Sequence, residues 1–226
     1  MGRPRAGGPV SAAGRSAAAE AVAIRARARK GLWRRVLAWL GVGSAVRRAD
    51  ARAALWAHGA AGEEATARLL AQLEAQGWRV WHDMRLHNRR FNLDHVLVSP
   101  CGTRVVVLDT KAWRRTWSTT VVAGRVHCGP EDRHEQIVKV GGYAAAVSTA
   151  IGMGDVVVWP VLVIHGSTVA GGHLETHLPG VGVAYVLDPA WLVPTLSAVP
   201  QVRHQLRADV LAARVDKVLR PYVQTS

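Results

Sequence analysis

The sequence predicts a mixed α/β domain, a central sheet covered by helices, and three observations predict it. Residues 79–128 carry a run of valine-rich segments separated by turn residues, the mark of consecutive strands. Segments with helical spacing stand before and after this run. The strongly apolar stretch DVVVWPVLVIHG and the shorter GVAYVL then follow the second helical segment. The resulting order is helix, three or four strands, helix, strand, strand, helices, which is the order of a sheet with helices packed on it. A chain of 226 residues that is 49% hydrophobic is long enough for one such domain with appendages.

Residues 1–15 (MGRPRAGGPVSAAGR) have no hydrophobic period, so nothing there offsets the entropy of ordering, and disorder is expected. Residues 16–54 form an Ala/Arg-rich helical arm. Within it WRRVLAWL, wound at about 100° per residue, puts Leu32, Trp33, Val36, Leu37, Trp39 and Leu40 on one arc and leaves Arg34 and Arg35 outside it. Such an amphipathic helix suits docking on its own domain, self-association or a membrane interface. The first helix of the domain proper is predicted over 52–76 and is ended by Gly77. Strands are predicted at RVWHDMRL, NLDHVLVS, TRVVVLDTK and TTVVAGRVHC, the last folded into a hairpin at Ala123-Gly124. A second helix is expected over 131–151. Asp188-Pro189 reads as an N-cap followed by proline at the first helical position, opening a short helix that runs to Leu196. A last helix over 202–218 closes the chain. The domain is therefore placed at 55–200, with 201–226 as a C-terminal helix.

The net charge is +13, and its distribution matters more than its size. Residues 1–50 hold eleven Arg and Lys against Glu20 and Asp50, a surplus of nine, which leaves four for the other 176 residues. An arm of this kind suits nucleic acid or an anionic membrane surface, because it attracts phosphates without reading sequence; it also suits a solvated tail. Cys101 and Cys128 form no CxxC pair, and no stretch reaches the roughly 18 uninterrupted apolar residues of a membrane span. A reducing cytoplasm is the expected location. The histidines are scattered, with no HExxH; Cys128 with His127 and His134 comes nearest to a zinc cluster without its spacing.

The stretch NLDHVLVSPCGTRVVVLDTKAW carries the chemistry. Strand alternation sends Asp94, Val96 and Val98 to one face, and in the next strand Val105, Val107, Asp109 and Lys111 share a face. Two apolar rows thus end in charges. With a Pro-Cys-Gly turn between them, antiparallel pairing brings Asp94 and Asp109 close enough to share one cation, with Lys111 alongside. Phosphodiester hydrolysis needs this set: oxygen ligands suit Mg2+ or Mn2+, and a lysine can position the attacking water. Spacing alone is equally compatible with an Asp/Lys ion-pair cluster at a sheet edge. In the preceding helix Leu69, Leu70 and Leu73 define the buried face; Glu63 lies near its border and Glu64 points away, so Glu63 is the acid that can reach the sheet. Gln136 in the second helix could orient a phosphate or a water. Beyond Lys111, the interleaved Trp113, Arg114, Arg115 and Trp117 suit a nucleic-acid backbone with an exposed base, or a hairpin stem with tryptophan packed inward and arginine snorkelling over it.

GAAGEE at a helix, NLDHVLVSPCG, VVVLDTKAW and a glutamine in the next helix together resemble the nuclease-related domain family of the restriction-endonuclease-like superfamily, over about 58–198. The Gly-x-x-Gly-Glu motif falls on Gly59, Gly62 and Glu63, the Asp-His motif on Asp94, the acid-x-lysine pair on Asp109 and Lys111, and the helical glutamine on Gln136. Asp109 stands where the family more often has glutamate, and Ala112-Trp113 follows Lys111 where a glycine is usual. The resemblance implies a restriction-endonuclease-like core, DNA as substrate and partner, and Mg2+ or Mn2+ held by Asp94, Asp109 and the carbonyl of Thr110. Lys111 would place the water, and Glu63 and Gln136 would support the site. A non-catalytic nucleic-acid-binding module, or a membrane-peripheral module on a degenerate nuclease fold, is the alternative expectation. The sequence leaves the oligomeric state open.

Overall fold

The computed structural model describes residues 44–198 and 203–223, with side chains from residue 59 onward. The basic tail and the amphipathic segment around WRRVLAWL lie outside the described residues.

Helix α1 (Ser44–Glu74) leads through Gly77, at φ +95°, into three antiparallel strands: β1 (Arg79–Leu86), β2 (Leu93–Val98) and β3 (Arg104–Ala112). A hairpin of β4 (Ser118–Val122) and β5 (Arg125–Cys128) follows. Its turn residues Ala123 and Gly124 have φ of +47° and +75°, the paired positive angles that match the twist of a two-residue hairpin. Next come β6 (Glu131–Asp132), α2 (His134–Ile151), β7 (Val157–His165), β8 (Thr168–Val169), β9 (His173–Leu178) and β10 (Gly182–Leu187). The chain then forms α3 (Pro189–Ser197), α4 (Gln205–Val218) and β11 (Leu219–Pro221). As the sequence predicts, the Asp188 side chain accepts from the Ala190 N–H at 3.0 Å, with Pro189 in the first turn.

Seven strands make one mixed sheet in the order β11-β1-β2-β3-β7-β10-β9, in which β7 runs parallel to both β3 and β10. Its faces are sorted by alternation. Val96, Val98, Val105 and Val107 pack with Ala144, Val147 and Ile151 of α2 and Leu211 and Val215 of α4. Leu97, Val106, Leu108, Val161 and Val163 pack on the other face with Leu70 and Leu73 of α1 and Leu192 and Leu196 of α3. A second sheet, β6-β5-β4-β8, shares a third apolar cluster with α2, β7 and β10.

The mixed α/β architecture with helices on both faces is the one the sequence predicts. Three details differ. The second helix begins at His134, because Glu131 and Asp132 pair with β5 instead. β9 was not foreseen: HLETHL has too few apolar residues to read as a strand, yet its pairing with β10 from His173↔Leu187 to Leu178↔Gly182 fixes it at the sheet edge. Residues 203–223 are built into the domain as well. Leu211, Val215 and Leu219 belong to the main core, and β11 pairs with β1.

Candidate active site

The site forms where the three antiparallel strands splay. The β2–β3 ladder pairs His95 with Leu108, so the next step of the register sets Asp94 across from Asp109. The β1–β2 ladder pairs His82 with His95 and Met84 with Leu93, which sets Asp83 across from Asp94. Three aspartates therefore stand in one row across β1, β2 and β3. Asp83 has a φ of +50°, a left-handed conformation unusual inside a strand.

Each acid is held by polar contacts. Asp94 Oδ2 accepts from the backbone N–H of Thr110 at 3.0 Å, satisfying a group that the splayed ladder leaves without a strand partner. Asn92 Nδ2 donates to Asp83 Oδ1 at 3.2 Å and to Asp94 Oδ1 at 3.4 Å, linking two members of the row. Lys111 Nζ is paired with Asp109 Oδ2 and also donates to the Thr110 carbonyl at 3.1 Å. A positive charge thus already lies between the aspartate and the carbonyl to which the sequence assigns a cation.

Glu63 reaches the row from α1, and the close approach depends on Gly62. A Cβ at that position would lie 3.3 Å from Thr110 Cγ2 and 3.7 Å from the His165 ring. Beneath it Thr110 Oγ1 donates to Thr66 Oγ1 at 3.1 Å, and Thr66 Oγ1 meets His165 Nε2 at 2.8 Å, a polar layer that pins the helix to the ends of β3 and β7. Glu64 is exposed and Glu63 half-buried, as helical spacing predicts.

The electrostatics show an excess of negative charge. Burial, then the charges of Asp109 and Glu63, push the Asp94 carboxyl well above the usual range, although Lys111 and the Thr110 N–H pull it back. Burial and the nearby Asp83 raise Glu63 to about 7. Burial works against the charged form of Lys111, but Asp109, Asp94 and Glu63 outweigh it and hold the ammonium above its ordinary value. Among the described residues no group of three or more His, Cys, Asp or Glu side chains is arranged to hold a metal on its own. Asp94, Asp109 and the Thr110 carbonyl offer oxygen atoms only, the ligand type that hard divalent cations take.

The structure brings Glu63, Asp94, Asp109, Thr110 and Lys111 together. Gln136 stands apart from them in its contacts: its Oε1 accepts from the Trp113 indole N–H at 3.2 Å, so the amide is fixed by a tryptophan. The expectation that Trp113 meets a base is corrected, because the ring is 7% exposed and lies in the third apolar cluster. Trp117 is half-buried against that cluster with the Arg114 guanidinium 4.6 Å from its ring centre, the packed-stem arrangement. Arg114 and Arg115 are exposed beside the site strand.

Three residues escaped the sequence reading. Asp83 was signalled only by the strand register. Asn92, at the head of the predicted strand NLDHVLVS, directly precedes β2 and carries no pattern that marks it. Tyr143 lies seven residues after Gln136, on the same side of α2, and its hydroxyl feels Asp109, Lys111 and Asp94.

The family model described as nuclease-related domain matches residues 58–165, a span that opens at the Gly59-x-x-Gly62-Glu63 turn of α1 and closes at His165, the last residue of β7. No curated protein and no solved structure matches the chain. The matched span holds the whole row of acids, the lysine and the helical glutamine, and over these residues the chain is similar to the nuclease-related domain family.

Proposed function

We propose that this chain hydrolyses phosphodiester bonds in DNA with the help of Mg2+ or Mn2+. The observation that carries the reading is the meeting of Asp94, Asp109, Glu63 and Lys111 at the splayed ends of β2 and β3, where burial first and the neighbouring carboxylates second raise Asp94 and Glu63 although a lysine stands beside them. Structural ion pairs lower the pKa of their acids, whereas a site made for a cation and a phosphate gathers carboxylates beyond what its lysine can neutralise.

In this reading Asp94, Asp109 and the Thr110 carbonyl hold the cation. When bound, it polarises the phosphoryl oxygens and lowers the pKa of water beside them. Lys111 Nζ, already placed by Asp109 and the Thr110 carbonyl, orients the attacking water and meets charge that develops on the phosphate. Glu63, titrating near 7, can accept or return a proton at its carboxylate oxygens near neutral pH. Gln136 keeps its amide nitrogen as a donor toward substrate while Trp113 holds the oxygen. Arg114 and Arg115 supply phosphate contacts. The basic residues before position 50 add the non-specific affinity that a core of modest charge lacks. The same residues would serve on an anionic membrane surface, and among the described residues no helix is long and apolar enough to cross one.

The test is cleavage of plasmid, linear and single-stranded DNA with Mg2+ or Mn2+, comparing the wild type with Asp109→Ala of matched fold and purity. Metal-dependent cleavage that falls by at least about a hundredfold in the variant is the expected result. Equal inertness of two folded proteins that both bind DNA would reduce the chain to a binding module.

A further inference from the structure

The site as described has five groups around the splayed strands and only one of them, Lys111, attracts a phosphate. Glu63, Asp83, Asp94 and Asp109 repel it. A neutral donor facing the row would help an anion enter without adding a charge that competes for the metal ligands.

Helix α2 carries such a group. It packs across β3 and β7, and Tyr143 lies on the side it turns to the strands. The Tyr143 ring stacks on Phe91 with centroids 4.5 Å apart and planes 21° from parallel. Phe91 is followed directly by Asn92, whose amide is bonded to Asp83 and Asp94, so the stack ties the tyrosine to the same segment that orders the acids. The ring is half-buried, and its hydroxyl has no hydrogen-bond partner among the described residues. Packing therefore fixes the ring and leaves the oxygen available. Burial and the charge of Asp109 raise its pKa, so it stays a protonated donor throughout the working range.

We propose that the Tyr143 hydroxyl is a substrate contact, donating a hydrogen bond to a non-bridging oxygen of the DNA phosphate held between Lys111 and the acid row, with Phe91 fixing its aim. This rests on the phosphodiesterase reading for the identity of the ligand, but it can be tested without turnover.

The experiment measures binding of a short oligonucleotide to the full chain in Ca2+, for the wild type and Tyr143→Phe, over a range of salt, with thermal midpoints taken alongside. A hydrogen bond to a charged oxygen predicts roughly tenfold weaker binding in the variant. Because a neutral donor releases no counterion, the slope of log affinity against log salt should not change. Rescue in Tyr143→His, which restores a donor, would strengthen the assignment. Unchanged affinity in a folded Tyr143→Phe protein overturns the proposal, as does a wild type that binds no oligonucleotide. A loss accompanied by a changed salt slope overturns it too, since that would mean the basic contacts had moved. If the wild type binds, Tyr143→Phe loses affinity as described and the wild type never cleaves in Mg2+, catalysis fails as a reading while the phosphate contact stands.

Discussion

Glu63 shows how one side chain couples the site to stability. Its pKa rises from 4.5 to about 7, mainly because burial disfavours the carboxylate and Asp83 repels it. Between those values the folded chain binds a proton that the unfolded chain has lost. Stability from this residue is therefore complete below about pH 4.5, falls as pH rises toward 7, and stays lost above it. The whole shift corresponds to an upper bound of roughly 3 kcal/mol, which solvent at this half-buried position reduces. Glu63→Gln abolishes the titration while keeping the shape. The variant should exceed the wild type by about 1–2 kcal/mol near pH 8 and match it near pH 4, read from urea midpoints at both values. An equal gain at both would trace the effect to packing, not charge. Asp94, Asp109 and Lys111 were legible in sequence because each breaks an apolar row at a defined step of the alternation. Asp83 was not, since RVWHDMRL has no clean apolar row to break, and only the pairing of His82 with His95 and Met84 with Leu93 sets it opposite Asp94.

At the scale of elements, the contact of α1 with the ends of β3 and β7 sets where Glu63 can reach. Gly62 is the close point, and two effects oppose each other there. Alanine in place of a helical glycine gains about 1 kcal/mol from propensity, but its Cβ would stand 3.3 Å from Thr110 Cγ2, tighter than ordinary contact. Thr110 cannot swing aside freely because its hydroxyl is bonded to Thr66. Gly62→Ala should therefore be close to neutral in stability. Gly62→Val, which adds two more carbons against the same threonine and the His165 ring, should cost about 1–3 kcal/mol and weaken any metal-dependent cleavage by moving Glu63 off the row. Chemical denaturation and a cleavage assay on the same preparations check both parts; full stability in Gly62→Val would show that α1 is not held this tightly. Strands bounded by clear turn residues, such as β1, β3 and β10, were legible almost to the residue. The short edge pieces were not. β9, β8 and β11 are defined by the partners they meet, Leu219-Arg220-Pro221 by β1 and HLETHL by β10, and a partner distant in the chain leaves no local pattern.

Across the whole molecule, the segment that carries the site is smaller than the unit that folds. Residues 58–165 hold every proposed ligand, yet they end with β7, whose other parallel neighbour, β10, lies beyond them. Without that remainder one edge of β7 loses its ladder, and Leu162 and Ile164 lose Ala184 and Val186 from the cluster they share. Val161 and Val163 lose Leu187, Leu192 and Leu196 on the opposite face. The far side suffers as well: Leu211, Val215 and Leu219 seal the cluster over Val96, Val98, Val105 and Val107. Gly102, at φ +67°, lets the β2–β3 turn meet α4 so closely that a Cβ there would lie 2.5 Å from backbone atoms of Arg207 and Ala208. Eight core side chains of the retained strands thus lose part of their cover, and at about 1.5–3 kcal/mol for each one fully exposed the loss is comparable with the 5–15 kcal/mol by which a domain is ordinarily stable. Residues 58–165 expressed alone should therefore fail to fold cooperatively, whereas 55–223 should melt in a single transition. Near-ultraviolet circular dichroism during heating distinguishes the two, and a cooperative melt of the short segment would mean that the nuclease-related core stands without the closing strands and helices.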